Sequence, residues 1–107
     1  MNERQMQRQG DVLHIPTTEP TGTMQPIPLE DGRVVLARGE ATGHAHVIEG
    51  RGADFVLNAL TLERYVHVRE PATVRHEEHG ALQLPSGWYE VRIQREYERG
   101  AVRNVAD

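Results

Sequence analysis

Four of the six histidines of this chain fall into two closely spaced pairs, and the chain has no cysteine. The first pair is the HAH sequence at 44–46, and the second is the HEEH sequence at 76–79. A neutral imidazole is the commonest metal-ligating side chain in proteins. Two such pairs would supply three or four nitrogen ligands for one divalent ion if a fold brought them together. The sequence therefore predicts a mononuclear metal site formed by His44, His46, His76 and His79.

Two carboxylates lie between the histidines of the second pair. Glu77 or Glu78 could provide a further ligand, or act as the acid or base that activates a metal-bound water. Imidazole ligands suit zinc, which is the expected ion, and iron, nickel and copper are alternatives. Four protein ligands close a structural site, whereas three leave a position open for water or substrate. The choice between a catalytic and a structural ion therefore stays open.

The two remaining histidines, His14 and His67, fall on predicted strands away from the pairs. We interpret both as half-buried strand residues rather than ligands, with His67 as the reserve ligand. Ser86, the only serine, follows Pro85 in a turn and does not resemble a nucleophile.

The two pairs can act together only if particular local structures carry them. Residues two apart on a strand point to the same face, so an extended segment would present His44 and His46 together. The neighbouring Val47 and Ile48 favour such a strand. His76 and His79 are three residues apart and would converge in a tight turn between two strands. The expected site thus joins a strand to a loop.

Alternation and turn signals along the rest of the chain predict an all-β fold. Strands are expected over 11–15, 33–38, 44–49 and 88–97, and two more are expected within 53–69 around a turn near 58–61. The segments 73–76 and 81–84 flank the HEEH cluster as further β candidates. The proline-rich segment 16–32 is expected to be a long loop or a meandering edge. About seven short strands predict a small barrel or sandwich, with a flexible leader over 1–10 and one β domain over 11–107.

Composition limits the functional classes. A chain of 107 residues with a net charge of −4 fits one small domain and gives no overall basic footprint for nucleic acid. The absence of cysteine excludes disulfides and zinc–thiolate sites, and the absence of lysine excludes a P-loop or Schiff-base lysine. No apolar run approaches the roughly 20 residues of a membrane span, and the N-terminus lacks a secretory signal. We expect a soluble cytoplasmic protein.

Several segments together resemble an uncharacterised family of small bacterial and phage proteins. The resemblance rests on the GExTGHAH sequence at 39–46, the HEEHG sequence at 76–80, and the segments 84–91 and 94–97. It covers nearly the whole chain after the leader and implies no particular activity.

A looser resemblance links the first motif to the cupins. A glycine, an HxH pair, a glutamate and a second glycine occur at Gly39, His44, His46, Glu49 and Gly50, and a PxG turn occurs at Pro85 and Gly87. This resemblance implies a cupin-like barrel as an alternative fold. The sequence departs from the cupin pattern because Glu90 stands where the pattern expects a histidine and the HEEH cluster has no counterpart.

Three functions from different classes agree with these observations. The first is a metal-binding β-domain whose ion has a structural or binding role. The second is a metal-dependent enzyme of the hydrolase type, and the third is a metal-free accessory protein that binds a partner. A homo-oligomer is expected, in which segment 17–29 could wrap a neighbouring subunit. The sequence identifies no small-molecule substrate.

Overall fold

A computed structural model describes residues 4–38 and 44–94. Within these residues the chain forms ten β-strands and one turn of 3-10 helix, which confirms the expected all-β fold. The strands are β1 (Gln7–Gln9), β2 (Val12–Thr17), β3 (Met24–Pro26), β4 (Arg33–Arg38), β5 (Ala45–Glu49), β6 (Ala53–Asn58), β7 (Arg64–Val68), β8 (Ala72–Val74), β9 (Leu82–Leu84) and β10 (Gly87–Ile93). The 3-10 turn, Gly50–Gly52, joins β5 to β6.

Six strands form one antiparallel sheet in the order β1-β2-β10-β7-β6-β3. β1 and β3 each have a single neighbour among the described strands, so this sheet is open and does not close into a barrel. The cupin-like barrel, our alternative fold, is therefore not what the described residues form. The hairpins β4–β5 and β8–β9 make two further small sheets.

The core lies between the six-stranded sheet and the two hairpins. Alternate residues of each long strand point to one face, and the pairing register aligns these residues across the sheet. Phe55 lies opposite Val66, Val66 opposite Tyr89, and Val91 opposite His14. The hairpins contribute the other side of the same cluster, with Val34, Leu36, Ile48, Val74 and Leu84. The described domain is thus a small two-layered β structure around one core.

The central strands agree with the sequence predictions. β4 has the expected bounds, and β6 and β7 flank the expected turn. In that turn the Asn58 side-chain oxygen accepts hydrogen bonds from the amides of Leu60 and Thr61, at 2.9 and 3.0 Å. An asparagine side chain can replace a backbone acceptor in this way, which explains why the chain reverses there rather than continuing as a helix.

Two short edge strands and one strand end differ from the predictions. The sequence suggests that β2 stops at Pro16, but β2 continues to Thr17 and Pro16 pairs with Tyr89 of β10. On its other side β2 pairs with β1, but only at residues 12–14. Among the described strands Pro16 therefore has no partner on that side, and the lack of a backbone N–H in proline is tolerated there. β3 is a short edge strand inside the expected loop.

The N-terminal strand β1 lies in the segment that the sequence predicts to be a flexible leader. A two-residue loop, Gly10 and Asp11, joins it to β2. Gly10 has φ +60°, and glycine at the first position of such a loop is typical of type II′ hairpins. The last strand, expected to reach residue 97, ends at Ile93. Residues 1–3 of the leader and residues 95–97 lie outside the described residues. Among the residues described, no helix is long and apolar enough to cross a membrane.

Candidate metal centre

The two histidine pairs meet because one backbone bridge aligns their segments. Val47 of β5 and Arg75, just after β8, exchange two backbone hydrogen bonds of 3.0 and 2.9 Å. In an antiparallel pair, each step back along one segment matches a step forward along the other. The bridge therefore brings His76 beside His46, and the chain then bends over residues 77–79 instead of continuing as a strand. The HAH strand and the HEEH loop lie against each other at this point.

Ring distances show a single cluster centred on His76. The centroid of its ring lies 4.3 Å from that of His46, 4.6 Å from that of His79, and 5.7 Å from that of His44. The rings of His46 and His79 are nearly parallel, with centroids 6.1 Å apart. All four histidines that the sequence analysis selected thus lie together.

The other two histidines occupy different environments. His67 stacks on Trp88, with ring centroids 4.5 Å apart, on the face of the six-stranded sheet opposite the core. His14 is fully buried, and its Nδ1 donates to the backbone oxygen of Gln7 at 3.1 Å. Burial lowers the pKa of His14, so its ring is neutral at neutral pH. Neither ring joins the cluster around His76.

The side chain of Gln9 fixes the orientation of His46. Its amide nitrogen donates to the backbone oxygens of Val74 and Gly80, each at 2.9 Å, so its oxygen must face the other way. That oxygen lies 2.8 Å from Nδ1 of His46. Because an amide oxygen only accepts, Nδ1 carries the proton and Nε2 keeps a lone pair.

Burial keeps His46 neutral. The ring is 4% exposed, and loss of hydration lowers its pKa from 6.5 to about 4, with the neighbouring His76 acting in the same direction. A neutral imidazole is the form that ligates metals. His46 therefore has the protonation state of a ligand at neutral pH.

His44 lies next to the carboxylate of Glu78. Its Nδ1 lies 3.0 Å from Oε1 of Glu78, a close charge contact that does not have hydrogen-bond geometry and therefore does not fix the tautomer of the ring. Glu78, a candidate catalytic group from its place in the sequence, thus lies beside a histidine of the cluster.

Glu77 lies beside His44 and His76. Its Oε2 accepts a hydrogen bond from the amide of Ala45 at 3.2 Å. The pKa of Glu77 is lowered, first by its own backbone N–H and also by the amide of Ala45, so its carboxylate is ionised at neutral pH. Ligand atoms of His44, His76 and Glu77 all lie within 4.8 Å of one another. Ligand atoms around a tetrahedral zinc ion are about 3.4 Å apart, so these three groups would have to move closer together to hold one ion.

His76 is held in the opposite tautomer by its own loop. Its Nδ1 accepts hydrogen bonds from the amides of Glu78 and His79, at 3.0 and 3.2 Å. Since Nδ1 accepts, the proton of the neutral ring is on Nε2. His76 must therefore release these amides before it can coordinate a cation, whether it binds through Nδ1 itself or through Nε2 after the ring proton has moved to Nδ1.

Residues 8–94 match a protein family described as a domain of unknown function, DUF8820. The chain belongs to the DUF8820 family. No curated protein and no solved structure matches it. The expected membership of an uncharacterised family is thereby confirmed, whereas the cupin resemblance receives no support. The matched residues include Gln9 and every residue of the histidine cluster.

Sequence reasoning missed Gln9. The polar leader suggests an irregular segment, and a glutamine carries no chemical signal by itself. The Gly10-Asp11 dipeptide before the alternating residues of β2 is a hairpin signal that could have placed a strand there. Gly39, Glu40 and Gly43, which precede His44 in the GExTGHAH sequence, lie outside the described residues.

Proposed function

We propose that the DUF8820 domain binds one divalent transition metal, zinc in the first place, between β5 and the loop over 75–80. The observation that carries this proposal is the meeting of the HAH strand and the HEEH loop beside the Val47–Arg75 bridge, which brings four imidazole rings together with the carboxylates of Glu77 and Glu78. Unrelated surface histidines would not be expected to gather in this way. Iron, nickel and copper remain alternative ions.

We assign His44, His76 and Glu77 as the central ligands, because their ligand atoms lie closest to one another. His46 supplies the fourth ligand through Nε2, which is free of a proton. His79 packs beside both His46 and His76 and is the alternative donor. In this proposal Glu77 takes the place of His79 in the all-histidine site predicted from the sequence, and of the two roles that the sequence left open for Glu77 we assign that of a ligand.

A structural or binding role is the function that this arrangement supports best. An ion held by His44, His76 and Glu77 would tie the β4–β5 hairpin to the β8–β9 hairpin. Within the described residues, the backbone hydrogen bonds that join these hairpins are those of the Val47–Arg75 bridge. A small domain has a thin stability margin, so a metal cross-link would contribute substantially to folding.

A metal-dependent hydrolase is the second candidate. His44 and His76 are only half-buried and Glu77 is exposed, so a solvent molecule could reach an ion that they hold. Three protein ligands would leave the fourth position to water, which the metal would activate.

We also propose that the protein acts in the cytoplasm, in keeping with a chain that uses no cysteine, and that it forms a homo-oligomer.

Zinc titration of untagged, metal-free protein tests the binding proposal. We expect one ion per chain, and a loss of affinity of about tenfold or more in His44→Ala and in His76→Ala. His67→Ala is the matched control, because this half-buried histidine lies outside the cluster and should leave affinity unchanged. Absence of binding at micromolar zinc, or an equal loss in His67→Ala, would contradict the proposal.

A further inference from the structure

Apart from Tyr89, three residues with polar side chains are buried among the residues that the structure describes: Gln9, His14 and His46. Two of them, Gln9 and His46, are joined by the 2.8 Å contact between Oε1 and Nδ1. Gln9 is 2% exposed, and burying a primary amide is unfavourable unless both of its ends find partners. Its partners, His46, Val74 and Gly80, belong to the histidine cluster or flank the loop that carries the cluster.

The amide nitrogen of Gln9 holds both ends of the HEEH loop. Val74 and Gly80, whose backbone oxygens accept its two hydrogen bonds, are the residues on either side of the segment 75–79. Rotating the amide by half a turn would direct its oxygen at these two carbonyl oxygens, and its NH2 group at His46. Two acceptor–acceptor contacts would replace two hydrogen bonds, so a single orientation of the amide is stable.

We propose that Gln9 is the positioning residue of the metal centre, which holds His46 as the Nδ1–H tautomer and clamps the loop that supplies the other ligands. This inference rests on the proposed metal binding. It also makes the N-terminal strand β1 part of the site, because Gln9 reaches the cluster only when β1 pairs with β2. A hydrogen-bond acceptor on the non-ligating nitrogen of a histidine keeps the ligating nitrogen unprotonated and fixes the orientation of the ring.

The test combines ring-nitrogen NMR of the metal-free protein with zinc titration, using three variants. Gln9→Met keeps the volume of the side chain and removes both its acceptor and its donors. Gln9→Glu keeps an acceptor for Nδ1 of His46. Gln7→Met is the matched control on the same strand, because the Gln7 side chain donates to the backbone oxygen of Gln83, away from His46.

We expect the Nδ1–H tautomer of His46 in the wild type, in Gln9→Glu and in Gln7→Met, and its loss in Gln9→Met. Zinc affinity should fall about 10-fold to 100-fold in Gln9→Met and stay within about threefold of the wild type in Gln7→Met. Wild-type protein with the proton on Nε2 of His46 would overturn the inference without any variant. An unchanged tautomer in Gln9→Met, or an equal loss of affinity in Gln7→Met, would also overturn it.

The two readouts separate this inference from the proposed function. If the wild type binds no zinc, the metal proposal fails, whereas the tautomer of the metal-free protein still reports on the role of Gln9. If zinc binds but the tautomer does not depend on Gln9, the metal proposal stands and the positioning role is wrong.

Discussion

Acidification of the metal-free protein should destabilise it through His46. In the folded state burial lowers the pKa of this ring to about 4, whereas in the unfolded chain it has its ordinary pKa of 6.5. Between these values the unfolded state binds one more proton than the folded state, so stability falls as the pH falls. The contribution of His46 is fully present above about pH 6.5 and is lost by about pH 4. Burial also lowers the pKa of His14, which adds a further loss of stability as the pH falls.

The size of the effect follows from the pKa difference. At about 1.36 kcal/mol for each pH unit, a change from 6.5 to about 4 corresponds to about 3 kcal/mol. Solvent that reaches the cluster beside the exposed His79 screens part of the charge on the protonated ring. We therefore expect His46 to account for about 2 kcal/mol of lost stability.

Urea denaturation of metal-free protein over a series of pH values measures this loss. The control is His46→Asn, which keeps an N–H donor for Gln9 and has no ring to titrate. Carboxylate titration and the His14 effect are common to both proteins, so the difference between the two curves isolates His46. Parallel loss of stability in wild type and His46→Asn would refute the reasoning.

Three further outcomes are expected. Gly10→Ala should lower the free energy of unfolding by about 1–2 kcal/mol, because alanine is strained at φ +60°. It should also weaken zinc binding, because the new Cβ would lie 2.7 Å from Nε2 of His79 and displace that ring. Gly32→Ala is its control in denaturation and zinc titration: it shares a positive φ, but no atom of the described residues lies within 4 Å of the added Cβ, so only the backbone cost should appear. Tyr89→Phe should cost about 1–2 kcal/mol in denaturation, because the buried hydroxyl donates to Pro85 at 2.6 Å, and an unchanged midpoint would contradict this. Zinc at about 100 times its Kd should stabilise the fold by about 2.7 kcal/mol, and a melting temperature insensitive to zinc and chelator would contradict it.

Local patterns were sufficient to predict most of the strands and the placement of each histidine pair. β4 follows from its apolar run, and the placement of His46 on a strand follows from the β-branched residues after it. The reversal after Asn58 could be expected from its tendency to form turns. In each case the signal lies within a few residues of the element that it specifies.

The meeting of the two pairs could be hypothesised from the sequence, but no local pattern requires it. It depends on the Val47–Arg75 bridge, which joins residues 28 positions apart in the chain. The same holds for Gln9, whose contact with His46 spans 37 residues. The strand β1 is short and polar, so its residues have little intrinsic β propensity, and its pairing with β2 stabilises it as a strand.

The metal content of untagged protein, purified without a metal column, tests the central claim most directly. Element analysis after dialysis should find about one zinc ion, or one ion of a competing transition metal, per chain. X-ray absorption should then show nitrogen and oxygen ligands at about 2.0–2.2 Å. The double variant His44→Ala and His76→Ala, prepared in parallel, should contain none. A wild-type protein that remains metal-free after incubation with zinc, or a double variant with equal metal content, would contradict the account.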